Sequence, residues 1–185
     1  DDSNNKGYDV NIVGVRNAET KDRITNKFDD CVTVSYKKEG EWKFFCFGAT
    51  TDPGDDYMDN PIVEEKGCAI LKEGQYRGSH KIRLHGGKYP ALGQKKDVTV
   101  YRDKNKDGKY DFDESKSDTG LFGINIHRAT SRAGKTSTYV DKWSAGCQVI
   151  ASNDDWTKFL KICEKAKDIH GNSFSYTLLN SKDIC

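Results

Sequence analysis

Leu121-Phe122-Gly123-Ile124-Asn125-Ile126-His127 decides the fold class. Side chains alternate across a β-strand, so Phe122, Ile124 and Ile126 point one way while Leu121, Asn125 and His127 point the other. This is a strand with one buried face, ending on a histidine that looks away from the Ile124/Ile126 side. Outward from it the chain reads mostly as strands, at residues 8–15, 32–36, 42–47, 68–71, 80–85, 98–101 and 174–179, separated by Gly, Asp, Asn and Lys clusters. One helix stands out. Ser152 is its N-cap with Asp155 three residues on, Trp156, Phe159, Leu160 and Cys163 form its apolar stripe, and Gly171 ends it. The pattern predicts an α+β, mainly β protein: a mixed β-sheet or sandwich with one clear helix in the C-terminal half. A single β-rich domain is expected over residues 1–185, with N-terminal strands and a hairpin in 1–67 and the chemistry-bearing part in 68–185.

At 185 residues the chain is long enough to bury a real core. Its 30 Lys and Arg against 29 Asp and Glu nearly cancel, so no global field attracts nucleic acid or a membrane surface. No apolar run approaches the roughly 20 residues that span a bilayer.

His127 gains meaning from a second motif downstream. Sixteen residues separate it from Ser144-Ala145-Gly146-Cys147-Gln148. A cysteine on a small-residue turn, with a histidine on a preceding strand, is the minimum kit for thiolate acyl chemistry. A thiol near its reference pKa of about 8.5 is mostly protonated at neutral pH, and an imidazole within reach is the usual way to activate it. Gly146 lets the backbone approach closely, and the N–H groups around Gly146 and Cys147 are candidates for holding an oxyanion.

The run from Gly123 to Gln148 resembles the active-site signature of the L,D-transpeptidase (YkuD-like) family: His, a spacer of this size, then Ser/Thr-His-Gly-Cys. The resemblance implies a YkuD-like fold and an enzyme acting on peptidoglycan stem peptides. In it Cys147 is the nucleophile that forms a thioester, His127 the base, and Ser144 and Gly146 the turn presenting the thiol. Ala145 stands where the family has its second histidine, and Gln148 is followed by Val149 rather than the usual polar pair. Transfer to an amine and hydrolysis by water share the first half of such a cycle. Upstream loops line the cleft in that family, which makes His85 and Tyr89 candidate substrate-binding residues together with Trp143. Arg128, with Arg132 and Lys135, stands where it could meet the carboxylates of a stem peptide. The run Gly123 to Arg128, together with Ala49-Thr50-Thr51-Asp52-Pro53-Gly54, is similar to uncharacterised phage and bacterial proteins. The alternative is an inactive, calcium- and disulfide-braced binding or structural module on the same scaffold.

Another motif fits the twelve-residue calcium loop at its diagnostic positions. Asp103, Asn105 and Asp107 supply the first, third and fifth ligands, Gly108 the sharp turn, Lys109 its carbonyl, Asp111 the ninth position and Glu114 a bidentate carboxylate. The flanks are not helices: residues 98–101 read as a strand, and 115–120 are polar and break structure. The expected ion is therefore structural Ca²⁺, stapling the connection that leads to the strand bearing His127.

Six cysteines together with calcium favour an oxidising setting, secreted or periplasmic. Cys31 and Cys46 are expected directly opposite each other in a hairpin around residues 37–40, and Cys163 is expected to pair with Cys185 as a second bridge. Cys68 is left without an obvious partner. His80 and His85, five apart on one strand, face opposite sides and make no paired metal site.

Overall fold

The computed structural model of the chain describes residues 7–17, 23–109, 115 and 117–184. The elements are β1 (Asn11–Arg16), β2 (Asp30–Lys38), β3 (Glu41–Thr50), α1 (Asp55–Asp59), β4 (Cys68–Leu71), β5 (Gly74–His85), β6 (Tyr89–Gln94), β7 (Val98–Asp103), β8 (Asp118–Gly120), β9 (Ile126–Arg128), β10 (Gln148–Ile150), α2 (Asn153–His170) and β11 (Phe174–Asn180). Eight strands close a barrel in the order β1-β11-β5-β6-β9-β10-β3-β2, and β4-β7-β8 form a small second sheet. Two neighbouring pairs in the barrel, β1/β11 and β9/β10, run parallel. The sheet is thus mixed, as its sequence suggested, but it closes on itself instead of forming a sandwich.

The alternation that identifies the strands also builds the core. Along β2 every second residue is buried, with Val32 and Val34 fully so, and Ile12, Phe47, Leu92, Ile126, Ile150 and Leu178 meet them from neighbouring strands. The helix α2 adds Trp156, Phe159, Cys163 and Ala166 to the same cluster. The Phe159 ring stands edge-on to Phe47 at 6.0 Å. The Ser152 side chain caps α2 by accepting the Asp155 N–H at 3.3 Å. No helix among the described residues is long and apolar enough to cross a membrane.

Three local features differ from the sequence reading. Residues 121–125 are not a strand, because Gly123 takes φ +75° and breaks the ladder; only Ile126–Arg128 pairs as one. The Gln94 side chain substitutes for the missing neighbour: its Oε1 accepts the N–H groups of Phe122 (3.1 Å) and Ile124 (2.9 Å), and its Nε2 donates to Gly120 O (2.8 Å). Of the stretch His85 to Pro90, which reads as a glycine-rich loop, only Gly86 to Lys88 is the turn; Tyr89 and Pro90 open the strand Tyr89–Gln94. Asp118–Gly120, expected to break structure, pairs with β7.

The cysteine register is also corrected. Glu39 and Gly40, with φ +53° and +80°, form a two-residue turn that pairs Lys38 with Glu41. Cys31 therefore faces Gly48 and Cys46 faces Thr33, so the two thiols are diagonal neighbours on the outer face of the barrel. The five described cysteines are unbridged thiols. Burial, followed by a hydrogen bond with Cys46, pushes the Cys31 thiol up to about 12. Cys163 is fully buried, Cys68 is buried on β4, and the expected partner Cys185 lies outside the described residues.

Candidate active site

The parallel pair β9/β10 brings His127 and Cys147 together. Ile126 pairs with Gln148, His127 with Val149 and Arg128 with Ile150. One step earlier, the Gln148 N–H donates to Asn125 O at 2.9 Å. Ile126 and Ile150 belong to the core, so the alternation puts His127 and Val149 on the outer face; Asn125 and Cys147, one residue before β9 and β10, continue that side and are joined by the Asn125 N–H to Cys147 Sγ contact. Cys147, immediately before β10, thus lies diagonal to His127 across the β9/β10 pair.

The turn that presents the thiol is braced from three sides. The Ser144 Oγ accepts the Gly146 N–H at 3.1 Å and donates to Cys147 O at 2.8 Å. Gly146 has φ +118°, and a Cβ there would lie 2.4 Å from the Ala69 carbonyl oxygen, so only glycine fits. From the Ala49 to Gly54 segment, Gly54 N–H donates to Ser144 O at 2.9 Å, and Thr51 O accepts from Gln148 Nε2 at 3.3 Å. That segment is itself anchored by buried charge. Arg16 pairs with Asp52 (3.0 Å) and Glu73 (2.7 Å), and Asp30 accepts both the N–H (2.6 Å) and the hydroxyl (2.8 Å) of Thr51. Sequence reasoning marked residues 49–54 by likeness alone; their physical role is to support the cysteine turn.

The protonation states are set by burial. His127 is 4 % exposed, and its Nδ1 lies 2.9 Å from Arg128 O. A carbonyl only accepts, so Nδ1 carries the proton and Nε2 keeps its lone pair. Burial holds this imidazole down at about 4, partly offset by the Arg128 carbonyl and reinforced by His85. Cys147 Sγ accepts the Asn125 N–H at 3.5 Å and donates to Gly123 O at 3.4 Å. Burial pushes this thiol up to about 11, an effect that the Asn125 N–H only partly offsets. The pair is therefore a neutral thiol beside a neutral imidazole, not hydrogen-bonded to each other, which corrects the expectation of a thiol activated at rest. The Gly146 N–H, expected as an oxyanion donor, is already taken by Ser144 Oγ.

Above His127 lies a cleft of about 520 Å³ whose walls include His85, Tyr89, Arg128, Lys142 and Trp143. The His85 ring stacks on His127 with centroids 4.2 Å apart, and the Arg128 guanidinium lies 4.2 Å over the Tyr89 ring. The Tyr89 hydroxyl reaches His127 Nδ1 at 3.4 Å and Arg128 O at 3.5 Å, both long contacts. Trp143 sits in a single 3-10 turn, Asp141–Trp143, immediately before Ser144. A second hollow beyond Trp143 is lined by Arg132 and Lys135. His80, by contrast, is fully buried in the core, with Nδ1 2.8 Å from Ser79 Oγ and Nε2 3.0 Å from Ile124 O. Asn125 was not singled out from sequence as a site residue. Its signal was its parity with His127 in the alternation of residues 121–127.

No protein-family model matches the chain, and neither the curated proteins nor the solved structures contain a match.

The candidate calcium loop joins β7 to β8. Asp103, Asn105, Asp107 and Lys109 are described; Asp111 and Glu114 lie outside the described residues. Asp103 Oδ2 accepts the Gly108 N–H at 3.3 Å, and Asp107 Oδ1 accepts the Lys109 N–H at 3.0 Å. Asp103 is 1 % exposed, and its Oδ1 has no hydrogen-bond partner among the described residues. A buried carboxylate oxygen left unpaired is costly, and a cation at the first loop position would satisfy it. Among the described residues no cluster of three or more His, Cys, Asp or Glu able to hold a metal is formed.

Proposed function

We propose that the protein is an extracytoplasmic cysteine acyl-transfer enzyme acting on peptidoglycan stem peptides, of L,D-transpeptidase or L,D-peptidase type. The observation that carries this reading is the shared face of His127 and Cys147, with His127 Nε2 kept as a proton acceptor by the Nδ1 bond to Arg128 O. In the proposed cycle the thiol turns from Gly123 O toward the cleft. Its proton passes to His127 Nε2 as sulfur attacks the peptide carbonyl carbon. The tetrahedral adduct then collapses to a thioester, and the amine leaves with the proton held by His127. An incoming amine or water resolves the thioester by the reverse sequence. Arg128 and Lys142 on the walls suit a substrate that carries carboxylates, as stem peptides do.

The loop from Asp103 supports structural Ca²⁺ as the cofactor, with Asp103, Asn105, Asp107, Lys109 O, Asp111 and Glu114 as ligands. The ion would fix the β7–β8 turn, from which the chain runs to β9, and it takes no part in the chemistry.

A second reading, an inactive binding or structural module, is favoured by the resting state of the thiol, which is held by Gly123 O and Asn125 N–H and pushed up to about 11. Mass spectrometry of peptidoglycan peptides, incubated with the wild type or with Cys147→Ala in calcium, separates the two. Products formed by the wild type alone support the enzyme, and their masses distinguish amine exchange from hydrolysis. Identical peptide profiles for both proteins would favour the module.

A further inference from the structure

A cysteine acyl transfer needs hydrogen-bond donors where the carbonyl oxygen becomes an oxyanion. In this protein the turn before Cys147 is poor in them. The Gly146 N–H is committed to Ser144 Oγ, and Ala145 has no polar side chain, which leaves the Cys147 N–H as the backbone donor beside the thiol. A side-chain donor that joins it must come from elsewhere, and the cleft contains one whose orientation is fixed bond by bond.

Gln94 fixes the first bond. Its backbone N–H, which can only donate, lies 2.9 Å from Asn125 Oδ1. That contact sets the Asn125 amide so that Nδ2 points to His85, where it lies 3.2 Å from Nδ1. An amide NH₂ is only a donor, so His85 Nδ1 must be an acceptor and the ring's proton resides on Nε2. Burial and the Arg83 charge both hold His85 below its ordinary range, which keeps it neutral. Its Nε2–H has no hydrogen-bond partner among the described residues, while the ring lines the cleft. The stacked neighbour, His127, is the opposite tautomer: Nδ1–H is bound to Arg128 O and Nε2 is bare. Two neutral imidazoles 4.2 Å apart thus face one cleft with complementary ends, one accepting and one donating.

We propose that His85, brought in on the β5–β6 hairpin, is the oxyanion donor of this site, with Asn125 as the residue that sets its tautomer. Resting on the reading of the site as a cysteine acyl-transfer centre, this assigns a catalytic residue outside the cysteine turn. The Nε2–H hydrogen-bonds the carbonyl oxygen as the Cys147 sulfur–carbon bond forms. It transfers no proton; the thiol proton goes to His127 and leaves with the amine. Asn125 also gives its own N–H to Cys147 Sγ at 3.5 Å, so one residue positions both the nucleophile and the donor.

The test compares wild type, His85→Phe and His85→Gln on stem peptides released from digested sacculi, alongside iodoacetamide labelling of Cys147. Phenylalanine keeps a stacking ring without the donor, and glutamine restores an N–H at a similar reach. Loss of one such donor lowers kcat by about 10²–10³-fold. The expected result is a kcat loss of that size in His85→Phe with KM within about threefold, and recovery to within about tenfold of wild type in His85→Gln. Labelling develops no oxyanion and is expected to stay within about twofold in all three. An active wild type with an equally active His85→Phe overturns this assignment alone. So does a His85→Gln as slow as His85→Phe when both melt like the wild type. An inactive wild type overturns the proposed function itself, and this assignment with it.

Discussion

At Cys147 burial and reactivity pull in opposite directions. The thiol rests on Gly123 O and one N–H, well above its ordinary pKa, while the neighbouring imidazole is held too low to form an ion pair with it. In the proposed cycle such a cysteine is quiet until a carbonyl arrives and proton transfer to His127 accompanies attack. The predicted signature is kinetic. The rate of iodoacetamide labelling at Cys147, followed by peptide mass spectrometry, should climb by about tenfold per pH unit between pH 7 and 10, following the thiolate fraction below a pKa of about 11. A plateau below pH 8 would mean a pre-formed thiolate and contradict a thiol neutral at rest. The candidate cysteine and histidine were legible in the sequence because residue type and spacing carry them. The resting protonation was not, because it depends on desolvation by parts of the chain as distant as β5 and β6.

At the level of elements, the cysteine turn is fixed to α2 through β10, which enters the helix after only Ala151 and Ser152. Phe159 is fully buried against Phe47, so Phe159→Ala should cost about 3–5 kcal/mol in chemical denaturation. Ser152→Ala should cost about 1 kcal/mol by removing the cap. A Phe159 effect below about 1 kcal/mol would mean that this helix does not share the barrel core. Long alternating strands and the capped helix could be read from sequence because their periodicity is local. β6 could not: Pro90 and the preceding glycines read as loop, and Ala91 to Gln94 are buried without alternation. β9 and β10 have three residues each and depend on each other for pairing. The Cys31/Cys46 register was misread because Glu39 and Gly40 make a shorter turn than the four-residue loop supposed. The contacts that build the cleft and brace the cysteine turn, His85 on His127 and Gly54 on Ser144, join positions far apart in the chain, and no local pattern announces them.

Across the whole molecule, titration and ion binding should govern stability. Burial lowers both His80 and His127 to about 4, so the folded state resists protons that the unfolded chain accepts from about pH 6.5 downward. Their stabilising effect is intact at neutral pH and is lost as pH falls from about 6.5 toward 4; at pH 5 the loss is about 2 kcal/mol for each. Asp30, raised to about 7 mainly by burial, acts in the opposite sense, since its folded form gains protons on the way down. It offsets about one histidine, leaving a net loss on the order of 2 kcal/mol between pH 7 and 5, measurable by urea titration at both values. A protein that is more stable at pH 5 would refute the buried neutral histidines. Calcium at about 100 times its dissociation constant should add about 2.7 kcal/mol, a rise of roughly 5–10 °C in Tm for a domain of this size. Glu114→Gln should remove most of that rise in calorimetry; an equal response in both proteins would place the ion elsewhere.

The parallel pairing of β1 with β11 ties Asn11–Arg16 to a strand made about 160 residues later. Synthesis at about 5–20 residues per second leaves the first strand waiting roughly 8–30 s for this partner. During that time β2 can pair with β1 and β3, but the ring of strands stays open and its free edges remain exposed to mispairing. Closure is therefore a late, nonlocal event, and contact order of this kind slows folding. A route that keeps the nascent chain threaded and extended until its last strand emerges, as passage through a narrow pore does, would sacrifice no barrel closure that the chain could have made earlier.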